Sequence, residues 1–192
     1  MERKPIDIIF AIDENGGYGV YKDDKFLLPW NISLDVKHFK DTTTYHEKPS
    51  NINAIIMGKN TWETANGKLI PNRINIVISK SISDKKSDCL IFSTLNDAIE
   101  KLNEQKDIET IFIIGGINLI LEALYHQDIR YLYLTKIHYN CNANISTDFD
   151  FMEKVKKIIW VDKINTINKS TGQYVNITFG KYDCSKIKEF EI

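Results

Sequence analysis

The sequence predicts an α/β domain with a central, mostly parallel sheet, an antiparallel hairpin at its C-terminal edge and helices on both faces. Three observations point there. Short runs rich in Ile and Val recur along the chain, and several are continuously apolar, as strands covered on both faces are. Helical stretches separate these runs, so strand and helix alternate and βα units follow. Near the end the pattern changes to two strand-like stretches around a polar, glycine-containing turn, which reads as a hairpin.

Ile6 to Ile12 reads as a buried strand, stopped by the turn formers Asp13-Glu14-Asn15-Gly16-Gly17. Further strands are expected over Asn53 to Met57, Ile74 to Ile78, Leu90 to Phe92, Thr110 to Ile114 and Tyr131 to Ile137. Helices are expected over Ser33 to Thr43, Lys59 to Thr64, Leu95 to Asn103 and Ile117 to Tyr125. In the tail, Lys156 to Ile167 and Tyr174 to Asp183 are strands joined by Asn168-Lys169-Ser170-Thr171-Gly172. One domain is expected over residues 1–184, with a polar stretch over 185–192 and no repeat or linker.

At 192 residues and 43% hydrophobic content, the chain can bury a substantial core. Its 25 basic and 26 acidic residues leave a net charge of -1, which argues against a surface that tracks nucleic acid. No apolar run is long enough to span a membrane, and Met1-Glu2-Arg3-Lys4-Pro5 does not open a signal peptide. Cys89, Cys141 and Cys184 show no CxxC pair and fit a reducing, cytoplasmic setting. The histidines (His38, His46, His126, His138) form no metal-binding spacing, so no metal is expected. Sequons at Asn31, Asn144 and Asn176 are what an Asn-rich chain produces by chance, and the excess of Ile, Asn and Lys reads as coding bias.

Two places put glycine directly after a buried strand and before a helix: Met57-Gly58-Lys59-Asn60-Thr61 and Ile114-Gly115-Gly116-Ile117. A helix start offers free N–H groups, and glycine lets a phosphate approach. Either alone is more often plain architecture; two from the same end of a parallel sheet suit a pyrophosphate. Neither GxGxxG nor GxxxxGK[ST] is present, so no standard Rossmann fingerprint or P-loop is supported. Elsewhere, Leu28-Pro29-Trp30 precedes the carboxylate Asp35, with Phe39 on the same helix face. By itself Asp35 would be taken as solvated. Beside an aromatic it could instead grip a flat, nitrogen-rich ligand, whose adjacent N–H donors a carboxylate accepts with both oxygens.

Together with Met57-Gly58-Lys59-Asn60-Thr61-Trp62, Pro71-Asn72-Arg73 and Ile114-Gly115-Gly116, these segments resemble the dihydrofolate reductase family over about residues 6–183. The resemblance implies NADPH-dependent reduction of 7,8-dihydrofolate to tetrahydrofolate. It makes Asp35 the acid that holds the pterin, with Trp30 and Thr135 beside it as catalytic residues. Phe10, Ala11, Leu28, Val36, Phe39, Ile70 and Ile114 would line the substrate slot, and Arg73 would pair with the glutamate α-carboxylate of folate.

On the cofactor side, the resemblance implies that Gly58, Asn60, Thr61, Gly115, Gly116 and Ile117 hold the pyrophosphate region, the paired glycines through a cis peptide. Lys59, and Lys80 after Ser79, would meet the ribose 2′-phosphate, with Ala11, Ile12, Gly19 and Ile120 completing the set. Gly16 to Leu28 would be the active-site lid, hinged at its glycines. The chain departs from the family at Ile120, where a Tyr is usual, and at Ala65, where many carry Ile. A monomer is implied, with thymidylate synthase as a fusion or associated partner in some members. The rivals are a reductase of the same fold acting on a riboflavin-pathway pyrimidine, and a non-catalytic folate- or nucleotide-binding module.

Overall fold

The computed structural model describes residues 3–23, 25–82, 89–146, 156–160 and 163–184, with only the backbone of 156–160 and of His126. In chain order the elements are β1 (Ile6–Ile12), β2 (Gly17–Lys22), β3 (Lys25–Leu27), α1 (Ser33–Thr44), β4 (Ile52–Gly58) and α2 (Lys59–Thr64). Then come β5 (Ile74–Ile78), β6 (Leu90–Phe92), α3 (Leu95–Asn103), β7 (Ile108–Gly115), α4 (Ile117–His126) and β8 (Ile129–Ile137). The last are β9 (Ile145–Ser146), β10 (Lys156–Trp160), β11 (Ile164–Asn168) and β12 (Gln173–Asp183).

One sheet takes the strand order β10-β12-β8-β1-β7-β4-β5-β6, with β11 also on β12. The pairs β1–β7, β7–β4, β4–β5 and β5–β6 are parallel, while β12 runs antiparallel to β8, β10 and β11. The mostly parallel sheet with an antiparallel edge is therefore present. Its continuous apolar runs are buried as expected: Ile55, Ile56, Met57, Ile76, Ile111 and Ile113 have no exposed surface.

The chain groups into two compact units, residues 1–8 with 41–129 and residues 9–40 with 130–192. In the first, the βα alternation places the ends of β4 and β7 side by side, Met57 opposite Gly115. In the second, Trp30, Ile32, Ile137, Cys141, Val175, Ile177 and Phe179 form the core, with Leu34 and Tyr139 packed against it.

Two expectations change. The stretch Lys156 to Ile167 is two strands, because β12 is long enough to pair with β10 near its end (Lys156 opposite Asp183) and with β11 near its start (Asn168 opposite Gln173). The latter pair is the expected hairpin. Cys184, the last residue expected in the domain, is buried and its N–H donates to the Arg130 carbonyl at 3.1 Å. Residues 185–192 lie outside the described residues, as does Asp24 in the lid.

The lid differs most. Instead of an open loop it is largely strand, β2 pairing with β3 and with β9. Its glycines serve close approach more than hinging. A Cβ at Gly17 would lie 2.5 Å from the Ala143 Cβ, and one at Gly19 would enter the Phe26 ring. The lid's root is pinned by Asp13, only 1% exposed. Its carboxylate accepts from the backbone N–H of Asn15 (3.0 Å), Gly17 (2.7 Å) and Cys141 (3.1 Å). Asp13→Ala would strand these donors, some of which water can reach at the exposed turn. A loss of about 1–2 kcal/mol is expected, measured by urea denaturation.

Candidate active site

Asp35 sits in the first turn of α1, where the positive end of the helix dipole favours a carboxylate. Burial acts against this and raises its pKa above the usual range, while the Thr135 hydroxyl, which bonds to it, pulls the other way. Thr135 is buried in the middle of β8 and lies directly opposite Phe179 of β12. The Trp30 indole N–H is near enough to Asp35 to favour its ionised form. It nevertheless falls outside hydrogen-bond geometry and is buried without a partner among the described residues. The geometry decides, since a real hydrogen bond is steeply directional. Trp30 therefore keeps an unused donor beside the acid, which suits a water or a ligand atom.

Trp30, Asp35 and Thr135 thus come together as expected, on the unit formed by residues 9–40 and 130–192. Of the residues expected to line the slot there, Phe10 is buried and Ala11 and Phe39 are half-buried. Leu28 (49% exposed) and Val36 (62%) offer apolar surface. Cys141, in the same unit, is no candidate nucleophile: burial, then Asp13 and Glu14, push its thiol up to about 11.

Arg73 is not the exposed turn residue its position after Pro71-Asn72 would suggest. It is 8% exposed, and its guanidinium donates to the Thr43 hydroxyl at 2.6 Å and to the Pro71 carbonyl at 2.9 Å. Asn72 just before it adopts φ 62°, a left-handed turn that asparagine tolerates well. Burial lowers the Arg73 pKa, but such a group stays cationic at neutral pH. Thr43 carried no signal of this role in the sequence; only packing at the end of α1 reveals it. Ile70 nearby is half-buried.

The two glycine turns meet on the unit of residues 1–8 and 41–129. A Cβ at Gly58 would lie 3.5 Å from the Gly116 nitrogen, and one at Gly116 would lie 3.7 Å from Thr61 Oγ1. The Gly115–Gly116 peptide is cis. Neither α2 nor α4 has a side-chain cap, since Gly58 and Gly116 occupy those positions. Thr61 Oγ1 is buried without a hydrogen-bond partner among the described residues. An orphan hydroxyl beside two uncapped helix starts fits a phosphate group.

Ile117 is half-buried and Asn60 exposed at these starts, whereas Ile114 and Ile120 are buried, Ile120 completely. Lys59 is half-exposed, its ammonium 3.7 Å from Glu63, and Lys80 is exposed. The Ser79 hydroxyl accepts from the N–H groups of Ser81 and Ile82, both at 3.1 Å, and so shapes the turn that carries Lys80. Ile12 and Gly19, of the expected cofactor set, are buried in the other unit. No group of three His, Cys, Asp or Glu among the described residues could hold a metal. No helix among them is long and apolar enough to cross a membrane.

A family model described as dihydrofolate reductase matches residues 5–182. The dihydrofolate reductase of Bacillus subtilis is 30% identical over 185 residues, covering 96% of this chain and 99% of its own. The solved structure of Schistosoma mansoni dihydrofolate reductase superposes with a TM-score of 0.78 at 30% identity, over 95% of this chain and all of that one. That of the Enterococcus faecalis enzyme, complexed with NADP(H), superposes at 0.70 over 93% of this chain and 95% of that one; at 23% identity it speaks for the fold. A bifunctional dihydrofolate reductase-thymidylate synthase of Paramecium tetraurelia is also similar, 28% over 175 residues, and this chain covers 35% of it. With the match of the family model running over almost the whole length, the chain belongs to the dihydrofolate reductase family.

Proposed function

We propose that Asp35, with Trp30 and Thr135, forms the pterin end of the active site, and that the paired glycine turns with Thr61 form the phosphate end. The reaction is that of the family: NADPH-dependent reduction of 7,8-dihydrofolate to 5,6,7,8-tetrahydrofolate. The observation that carries the residue assignment is a half-buried acid in a helix's first turn, its carboxyl desolvated, bonded to Thr135 and faced by an unused indole donor.

The chemistry divides between cofactor and protein. When bound, the nicotinamide supplies the hydride for C6 of the pterin. The protein orients the substrate and manages the proton that N5 must gain. A carboxylate at Asp35 accepts from the adjacent 2-amino and N3–H donors and favours positive charge on the ring. No second acid is needed. Arg73 is assigned to the substrate's glutamate carboxylate, for which a guanidinium held by Thr43 is suited. Ile120 has no surface with which to touch a ligand in this conformation, so its expected place beside the nicotinamide has no support from its burial.

Mixing the protein with NADPH and dihydrofolate and following the loss of NADPH absorbance tests the whole reading. Turnover with dihydrofolate supports it; turnover only with a ribosylated pyrimidine, or none, transfers the case to a rival. The same reading makes the chain a cytoplasmic monomer, in keeping with three buried cysteines that form no disulfide among the described residues.

Lys59 and Lys80 are proposed to flank the 2′-phosphate. Changing both to Ala should cut the preference for NADPH over NADH by about tenfold or more, since two charge-assisted contacts are lost. Steady-state kinetics with each cofactor check this, and unchanged discrimination would put the phosphate elsewhere.

A further inference from the structure

On α1, His38 follows Asp35 by three residues, so both side chains project from the same side of the helix. The His38 ring packs on Phe179, centroids 4.2 Å apart and planes inclined by 31°. Phe179 is the cross-strand partner of Thr135, the residue whose hydroxyl bonds to Asp35. Directly paired residues stand about 5 Å apart on one face of a sheet. Asp35 and His38 are therefore set down on two adjoining side chains of the β8–β12 ladder. We propose that His38 is a positioning residue for Asp35, its imidazole forming with the carboxylate a coupled pair that holds the acid ionised in mildly acid solution.

The inference rests on Asp35 being the pterin acid, but the coupling itself does not need substrate. An imidazole changes charge near neutrality when unperturbed, and burial raises the Asp35 carboxyl from the ordinary carboxylate range in that direction. An imidazolium one helical turn away favours the anion, and the anion in return favours the imidazolium. Other charged groups lie on the elements that carry His38 and Phe179. Lys37, Lys40 and Asp41 neighbour it on α1. Lys181, two residues past Phe179 on β12, holds its ammonium 3.8 Å from the Tyr131 ring centroid and 5.3 Å from that of Tyr133. On this face β8 carries Tyr131, Tyr133 and Thr135, and β12 carries Asp183 beyond Lys181, opposite Tyr131. His138 bonds to Thr178, the next residue along β12 from Phe179 and on the opposite face of the sheet. Lys181 and the burial of the His38 Nε2 atom oppose protonation of His38, Asp35 promotes it, and Asp35→Asn removes that promotion alone.

The test is a titration of the histidine rings by NMR in the whole chain, without ligand, for the parent and for Asp35→Asn. A His38→Phe variant, which keeps a ring on Phe179, identifies the His38 signal by its loss. His38 is expected to titrate at least about half a pH unit lower in Asp35→Asn, with His46, His126 and His138 unmoved. An unchanged His38 midpoint would overturn the proposal. Kinetics supply the second arm: kcat/KM for dihydrofolate in His38→Phe, relative to the parent, should fall at least about threefold between pH 8 and pH 5.5. A ratio flat across that range would overturn it too, as a purely structural role for the ring predicts. Should His38→Phe fail to fold, His38→Gln serves for both assignment and kinetics. If instead Asp35→Asn keeps full turnover while the titrations remain coupled, the pair is real and the pterin assignment is what fails.

Discussion

Asp35→Asn is expected to lower the rate of dihydrofolate reduction by about two decades or more at neutral pH. The change keeps the shape of the side chain and a hydrogen bond with Thr135, but it removes the charge that draws the forked donors of the pterin. What is lost is stabilisation of a ring that gains positive character as N5 takes its proton. Part of the rate should return at low pH, where substrate protonates without help. Steady-state assays across pH decide this, and a variant within about threefold of the parent at pH 7 would remove Asp35 from the site.

The same residue has a stability sign that runs against its function. Its folded pKa is raised by burial, so the folded chain holds this proton to higher pH than the unfolded chain does. Its contribution to stability is then largest in acid, and it declines as pH rises from about 4, the unfolded value, through the raised folded one. Asp35→Asn should flatten that decline and make the apo protein more resistant to urea at pH 7 than the parent. A slower enzyme that is a sturdier protein is the joint outcome, and it separates lost chemistry from lost folding.

Arg73→Leu is expected to raise the KM for dihydrofolate by roughly one to two decades while kcat changes much less. The guanidinium is assigned to a part of the substrate remote from the ring, so its contribution is the same in ground and transition states. A dihydropterin without the benzoyl-glutamate tail is the control, and parent and variant should handle it alike. Because Arg73 is buried against Thr43, its loss also removes a hydrogen bond at the end of α1. Equal loss on full and truncated substrates would then make it structural and weaken the folate-specific reading.

Much of the parallel sheet was legible because its strands are continuous Ile-rich runs, and burial on both faces leaves few other ways to use them. The glycine turns were legible too, since glycine after such a run has a narrow set of uses. Most of what escaped was set by pairing between distant segments. The break between β10 and β11 follows from the length of β12, and the second pairing of β2 from the distant β9 edge, while the β2–β3 hairpin is local and carries no period-2 signal of its own. Asp13 was hidden inside what looked like an ordinary turn cluster. Its spacing to Asn15, the pattern of an Asx turn, was the signal that could have marked it. Asp35 could be found only through family resemblance, because nothing local says that a carboxylate three residues into a helix will be covered. His38 carried even less: one aromatic position among many, until Phe179 lay under it.

The left-handed turn at Asn72 bears on how the guanidinium beside it is held. The same backbone conformation recurs at Asn66 and Asn142, positions where a chain with more than this one's nine glycines could have used one. Asparagine reaches that region with little strain, yet it roams less than glycine when the chain is unfolded. Fixing the turn before Arg73 therefore forfeits less disorder than a glycine there would. Three of the many asparagines, which looked like an accident of coding, thus stiffen left-handed turns at little cost in geometry.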